Sequence, residues 1–263
     1  VSKKSFLIFE NPFTIKVPIN FAPVPQSTHA LDKSYSDLQD SPLSPSGRFL
    51  YEIMKLILAS KEKFLLDKGY DLLGISRKDL KIGFINTAFQ VVQDQVYIEY
   101  MKEYFEMMDS SGIDFKQFNI EGKTEEEILE FFADRNVVQV SGGNPFYLLK
   151  AVRETNFGSI LKKLLEKGLC YIGCSSGSYL MCPTVEVGGW KLSRNRYGLT
   201  DFTALNYVPF LIKCHYEDRM KEDMIEKAKT LKYPLKLLKD DQGFFIEDGK
   251  IKFFGNSEEV VLE

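Results

Sequence analysis

The sequence predicts an α/β fold: a mostly parallel sheet flanked by helices on both faces and closed by a C-terminal β-hairpin. Three observations carry this reading. Short apolar runs alternate with segments of helical period from residue 81 onward. That alternation of strands with helices implies a mostly parallel sheet covered on both faces, and several of the runs, such as Lys81 to Ala88, read as buried strands. The last run pair, Phe244 to Ile246 and Ile251 to Phe254, is separated by Asp248-Gly249, a two-residue hairpin turn.

Taken in order, residues 1–48 read as an irregular arm belonging to the same domain, punctuated by Pro12, Pro18, Pro23, Pro25, Pro42 and Pro45. Phe6 to Phe9 is a candidate first strand. Residues 49–263 read as a single α/β domain. Leu50, Ile53, Met54, Ile57, Leu58, Phe64 and Leu65 recur at helical spacing and predict a helix. Lys81 to Ala88 follows as a buried strand, then an amphipathic helix over 94–109 that ends near Gly112. Phe115 to Ile120 is the next strand. Thr124 and Glu127 form the pattern of a capping box opening a helix. Asn136 to Val140 is a strand ending at Ser141-Gly142-Gly143-Asn144. A helix from Ser159 to Lys167 stops at Gly168. Leu169 to Cys174 is a strand that runs straight into Ser175. Val208 to Lys213 is another, with His215 just beyond it, and a helix follows over 217–231.

Composition excludes several function classes. The 263 residues are 44% hydrophobic, enough for one large core or two modest ones. Lys and Arg number 34 against 37 Asp and Glu, so no broad field attracts nucleic acid or anionic lipid. No apolar stretch reaches the roughly 18 residues that a membrane span needs, and no secretory leader pattern opens the chain as given. The cysteines, Cys170, Cys174, Cys182 and Cys214, show no CxxC spacing and read as reduced, buried thiols of a cytoplasmic protein. A zinc site would need more ligands than His29 and His215 supply.

Sites in parallel sheets form beyond the carboxyl ends of the strands, and three segments fall there together: Gly142-Gly143-Asn144, Ser175 and His215. Gly173-Cys174-Ser175-Ser176-Gly177 matches G-x-S-x-G between a strand and the short helix Ser178 to Met181. That turn strains the central serine and exposes its hydroxyl, while the Ser176 amide points where an oxyanion would form. Cys174, Ser176 and Ser178 are rival nucleophiles, but the apex position favours Ser175. A serine needs a base. His29 lies in the Pro-rich arm, so His215 is the candidate. An acid must then hold the imidazole tautomer. Glu186 is preferred, with Asp201 and Glu217 as alternatives. Arg219, one turn past His215, is a candidate clamp for an acidic substrate side chain.

Three blocks together carry a family resemblance. Gly142-Gly143-Asn144-Pro145-Phe146-Tyr147-Leu148-Leu149 resembles the G-G-N-x-F-x-L-L segment of the peptidase E family, the alpha-aspartyl dipeptidases. Tyr171 to Ser178 resembles its Y-x-G-x-S-A-G-S elbow, with Ser176 where alanine is usual. Gly198 to Phe202, Val208 to Phe210 and His215-Tyr216 resemble its stretch leading to the catalytic histidine. The likeness runs from about Lys81 to the C-terminus and leaves the first 80 residues unmapped. It implies a fold like the class I glutamine amidotransferases, with serine as nucleophile. It also implies Ser175 and His215 as catalytic and hydrolysis of short peptides, typically dipeptides with N-terminal aspartate. Amides of Gly143 and Ser176 would hold the oxyanion, and Asn144 would contact substrate. No metal or organic cofactor is expected. Some relatives carry an acid near Trp190 to Ser193, where this chain has none.

The partner expected is a small peptide, with neither nucleic acid nor membrane, and a homodimer is an open expectation. A cyanophycinase-like peptidase, an α/β-hydrolase esterase and an inactive binding homologue are the competing readings. The short interval from Ser175 to His215 and the upstream Gly142-Gly143-Asn144 block weigh against the esterase.

Overall fold

The computed structural model describes residues 54–190 and 195–262. The irregular arm, including the candidate strand Phe6 to Phe9, lies outside the described residues, as do Leu50 and Ile53. The described residues form a seven-stranded sheet and a separate two-stranded one. Strand β1 (Lys55–Ala59) lies inside the large sheet, parallel to β5 (Cys170–Cys174) on one side and antiparallel to β8 (Gln242–Glu247) on the other. Beyond β5 come β4 (Val137–Val140), β2 (Lys81–Ile85) and β3 (Asp114–Phe118), all parallel, and β9 (Lys250–Gly255) pairs antiparallel with β8 at the opposite edge. The hairpin joining β8 to β9 turns at Asp248 and Gly249, both at positive φ, as a primed two-residue turn requires.

Both faces of the sheet are covered. Helix α1 (Gln95–Ser110) buries Met101, Tyr104 and Met108 on one face. Helices α2 (Glu125–Phe131), α3 (Pro145–Glu154), α4 (Phe157–Glu166) and α5 (Ser176–Met181) cover the other. The capping box at Thr124 forms: Glu127 N–H donates to Thr124 Oγ1 at 3.2 Å, and Thr124 N–H donates to Glu127 Oε2 at 2.8 Å. This is the mostly parallel, helix-flanked sheet with a C-terminal hairpin that the sequence predicts.

Several elements differ from expectation, among them α3, where no helix is expected from the sequence. The helix read across residues 50–65 is instead β1 followed by a 3-10 turn at Lys63–Leu66. Leu56 and Leu58 enter one core cluster while Ile57 and Ala59 enter the other, on opposite faces. A strand buried on both sides shows no polar alternation, and its run plus the following turn imitates helical spacing. Another difference is β7 (Leu235–Leu238), which the sequence reading passed over. It pairs in parallel with β6 (Leu211–Cys214), Cys214 opposite Leu238, to make the small sheet. The helix expected over 217–231 resolves into a 3-10 turn at Asp218–Met220 and α6 (Lys221–Ala228).

Leu58 is fully buried between β5 and β8. Leu58→Ala is therefore expected to cost about 2–5 kcal/mol of unfolding free energy. Chemical denaturation would show this as a lower midpoint at unchanged slope, whereas a shift under about 0.5 kcal/mol, the size of an exposed substitution, would contradict the central-strand position.

Candidate active site

Three strand ends of the large sheet and two of the small sheet meet at one edge. Ser175 follows β5 with φ 48° and ψ −102°, a region costly for any residue but glycine, by roughly 1–3 kcal/mol. The surroundings hold it there. Ser175 N–H donates to the Ala59 carbonyl at 2.9 Å, and the Ser175 carbonyl accepts from Tyr179 N–H at 3.0 Å. Glycine at 177 is a packing requirement, since a Cβ there would lie 2.3 Å from the Val140 carbonyl oxygen. The strained turn leaves the Ser175 hydroxyl facing a cleft of about 540 Å³.

The rival nucleophiles are engaged elsewhere. Ser178 Oγ lies 2.8 Å from the carbonyls of both Ala59 and Gly173. Ser176 Oγ donates to the Gly143 carbonyl at 2.8 Å. Cys174 is buried in the core, and that burial pushes its thiol well above the usual range, away from reactive thiolate.

His215 follows β6 at φ 58°. Its Nε2 lies 2.9 Å from Ser175 Oγ, and its Nδ1 lies 2.7 Å from Asp240 Oδ1. A carboxylate on Nδ1 fixes the proton there and leaves Nε2 to accept from the serine. The register explains the meeting: β6 and β7 run side by side with Cys214 opposite Leu238, so both ends deliver polar residues to one place. The His215 amide donates to Ser60 Oγ at 2.9 Å, and Lys61 Nζ holds Asp240 Oδ2 at 2.7 Å.

Burial alone would raise the Asp240 pKa, but hydrogen bonds from His215 and Lys61 outweigh it and hold it well below the usual carboxylate range. With a depressed folded value, its contribution to stability is present above the unfolded pKa of about 3.9 and is lost as pH falls through the folded value. The group is half exposed, so solvent screening keeps that contribution small.

The acid beside His215 is thus Asp240, not the expected Glu186. Glu186 opens a 3-10 turn at Glu186–Trp190, its amide on Thr184 Oγ1, and it is no hydrogen-bond partner of His215. Asp201 pairs with Arg153 at 3.0 Å, and Glu217 pairs with Arg219 at 2.6 Å. Arg219 itself is 74% exposed, tied to Glu217 and absent from the cleft wall. Asp240 escaped the sequence reading because β7 did. The available signal is the short run Leu235-Lys236-Leu237-Leu238 with Asp240 two residues beyond it, a weaker version of the run that places His215 just past Val208 to Lys213.

Gly143 and Asn144 reach the cleft from the loop after β4. Asn144 caps α3, accepting from Phe146 N–H at 2.9 Å and Tyr147 N–H at 3.2 Å, and its Nδ2 donates to the Asn195 carbonyl at 3.0 Å. Gly143 has φ 132°, and a Cβ there would sit 2.1 Å from the Ala88 carbonyl oxygen. Among the described residues no cluster of His, Cys, Asp and Glu is arranged to hold a metal ion, and no helix is long and apolar enough to cross a membrane.

Comparison with known proteins agrees with this architecture. The model of peptidase family S51 matches residues 59–254, and the chain belongs to that family. An uncharacterized peptidase of Pasteurella multocida is 30% identical over 163 residues, which is 62% of this chain and 77% of the relative. Peptidase E of a Nostoc species is 28% identical over 199 residues, 71% of this chain and 76% of the relative. The crystal structure of a protein described as a peptidase E from Listeria monocytogenes superposes with a TM-score of 0.65 at 23% identity, covering 78% of this chain and all of that one. At that identity the likeness shows the fold. Fold and family together define a serine peptidase of family S51.

Asp240→Asn should lower turnover about ten-thousand-fold, as a mispaired tautomer does, while Glu186→Gln stays near wild type. Steady-state peptide hydrolysis by the two purified variants decides this; the reverse ranking would return the role to Glu186.

Proposed function

We propose that this protein hydrolyses short peptides through Ser175, His215 and Asp240. One observation carries the reading: the continuous hydrogen-bonded chain from Ser175 Oγ through His215 to Asp240, opening on a cleft. His215 Nε2 takes the Ser175 proton as Oγ attacks the scissile carbonyl carbon. The amides of Gly143 and Ser176 receive the oxyanion. His215 then returns the proton to the departing amine, the C–N bond breaks, and an acyl ester remains on Ser175. Water, deprotonated by the same nitrogen, hydrolyses the ester and restores the hydroxyl.

Dipeptides with N-terminal aspartate are the first substrate class to test, on the strength of the peptidase E resemblance. Arg219 is not the group that would select them, since it is bound to Glu217 on the surface. The cleft wall offers Asp94, the N-cap of α1, along with Tyr97, Asn144 and Tyr197. A carboxylate there suits the α-ammonium of a peptide's free amino terminus, which supports small peptides over neutral esters.

A fluorophosphonate probe should label wild-type protein at Ser175 and should not label Ser175→Ala. That variant should lose hydrolysis by on the order of a million-fold, the scale of triad removal. Unlabelled wild-type protein would favour the inactive binding homologue. Labelling together with faster cleavage of a nitrophenyl ester than of any dipeptide would favour the esterase.

Arg219→Met should leave the ratio of aspartyl to alanyl dipeptide hydrolysis unchanged. A selective loss on the aspartyl substrate, measured as kcat/KM on both, would restore Arg219 as the clamp.

A further inference from the structure

Glu62 is a carboxylic acid without an evident surface role. It is 1% exposed, beneath the loop that presents Gly143. Its Oε1 accepts from Gly142 N–H at 3.0 Å and lies 3.4 Å from the Tyr97 hydroxyl. The Tyr100 hydroxyl accepts from the N–H groups of Glu62 and Lys63 at 3.0 Å each and so fixes the backbone that carries the carboxyl. Burial raises the carboxyl's pKa, with the Gly142 N–H opposing. An acid so costly to bury, with Gly142 N–H on Oε1 and the Tyr97 hydroxyl beside it, is expected to do something its apolar isostere cannot.

The loop's hydrogen bonds say what that is. Ser141 N–H donates to the Ile85 carbonyl at 3.0 Å, Gly142 N–H to Glu62, and Asn144 N–H to the Ala88 carbonyl at 2.9 Å. Among the described residues, Gly143 N–H has no such partner, and Gly143 lines the cleft with Ser175. The peptide bearing that N–H lies between two glycines, the most permissive joint a backbone offers. Left alone it could rotate and carry its N–H away from Ser175. Both neighbouring peptides are fixed instead: the preceding one by Glu62 on Gly142 N–H, the following one by Ser176 Oγ on the Gly143 carbonyl at 2.8 Å.

We propose that Glu62 is a positioning residue that clamps the peptide before Gly142, so that Gly143 N–H stays aimed at the developing oxyanion. The proposal rests on the serine-peptidase reading of the site. The clamp acts on the transition state, because a ground-state carbonyl gains little from a donor aimed at the oxyanion position.

The test compares Glu62→Met, which keeps length but removes the acceptor, with Glu62→Gln, whose Oε1 can still take Gly142 N–H. Each is assayed on one dipeptide, alongside inhibition by a peptide aldehyde that forms a hemiacetal with Ser175. In Glu62→Met, kcat should fall about a hundred-fold, the lower end of losing one oxyanion donor. Its KM should stay within about three-fold, as for an interaction made in the transition state. Aldehyde affinity should fall with kcat. Glu62→Gln should keep most of both. Near-wild-type kcat in Glu62→Met, or equal losses in the two variants, would overturn the proposal. If Glu62→Met does not fold, Glu62→Gln alone decides: a drop in kcat beyond about ten-fold, where the retained acceptor predicts little loss, counts against it. Ser175→Ala separates the two layers. Retained hydrolysis there sinks the serine-peptidase reading itself, whereas a dead Ser175→Ala beside a fully active Glu62→Met sinks Glu62 alone.

Discussion

The carbonyl of Ala59, the last residue of β1, is the joint on which the site is assembled. It accepts the Ser175 amide at 2.9 Å and the Ser178 hydroxyl at 2.8 Å. The first bond holds the nucleophile's strained backbone, and the second holds the helix behind it. Because β1 lies between β5 and β8 and is buried on both faces, that carbonyl cannot drift. The three residues that follow then reach three different parts of the site. Ser60 takes the His215 amide, Lys61 takes Asp240, and Glu62 takes Gly142. A strand that contributes neither nucleophile nor base thus sets the position of both.

The electrostatics follow from the same placement. Asp240 is held as a carboxylate by Lys61 and His215, so it can fix the imidazole's tautomer. Glu62 is buried beside Tyr97 and Tyr100, whose rings stack at 5.8 Å, and that burial raises its carboxyl above the usual range. Two carboxyl groups a few residues from His215 in space are driven in opposite directions by their surroundings, one towards charge and one away from it.

How much was legible in the sequence depended on whether the signal was local. The elbow at Ser175 was legible because a strand, two glycines and a serine are contiguous, and each is needed for steric reasons. His215 was legible because it ends an apolar run. The capping box at Thr124 and the hairpin at Asp248-Gly249 are likewise short-range. Asp240 and Glu62 were not legible. Asp240 depends on β6 and β7 pairing in parallel across 20 intervening residues, 215 to 234, a contact no local pattern encodes. Glu62 depends on β1 being a central strand, and a strand buried on both faces hides its period. Glu186 is near the elbow in sequence, but the chain after α5 leads it into a separate turn.

The small sheet has a consequence for how such a site loses activity. His215 and Asp240 belong to one two-stranded unit, joined by the β6–β7 ladder, while Ser175 belongs to the large sheet. The seam between them is crossed by the Ser60 hydroxyl, by the Tyr179 hydroxyl on Cys214 N–H at 3.2 Å, and by core contacts of Phe210 with Phe244. Slippage along that seam would carry base and acid away together, their own bond intact, and open the gap to the serine. A displacement of about 1 Å is enough to cost two orders of magnitude in rate. A shift too small to unpair either sheet would therefore still lower the rate, so the contacts that cross the seam matter to activity as much as the bonds within the Ser175–His215–Asp240 chain.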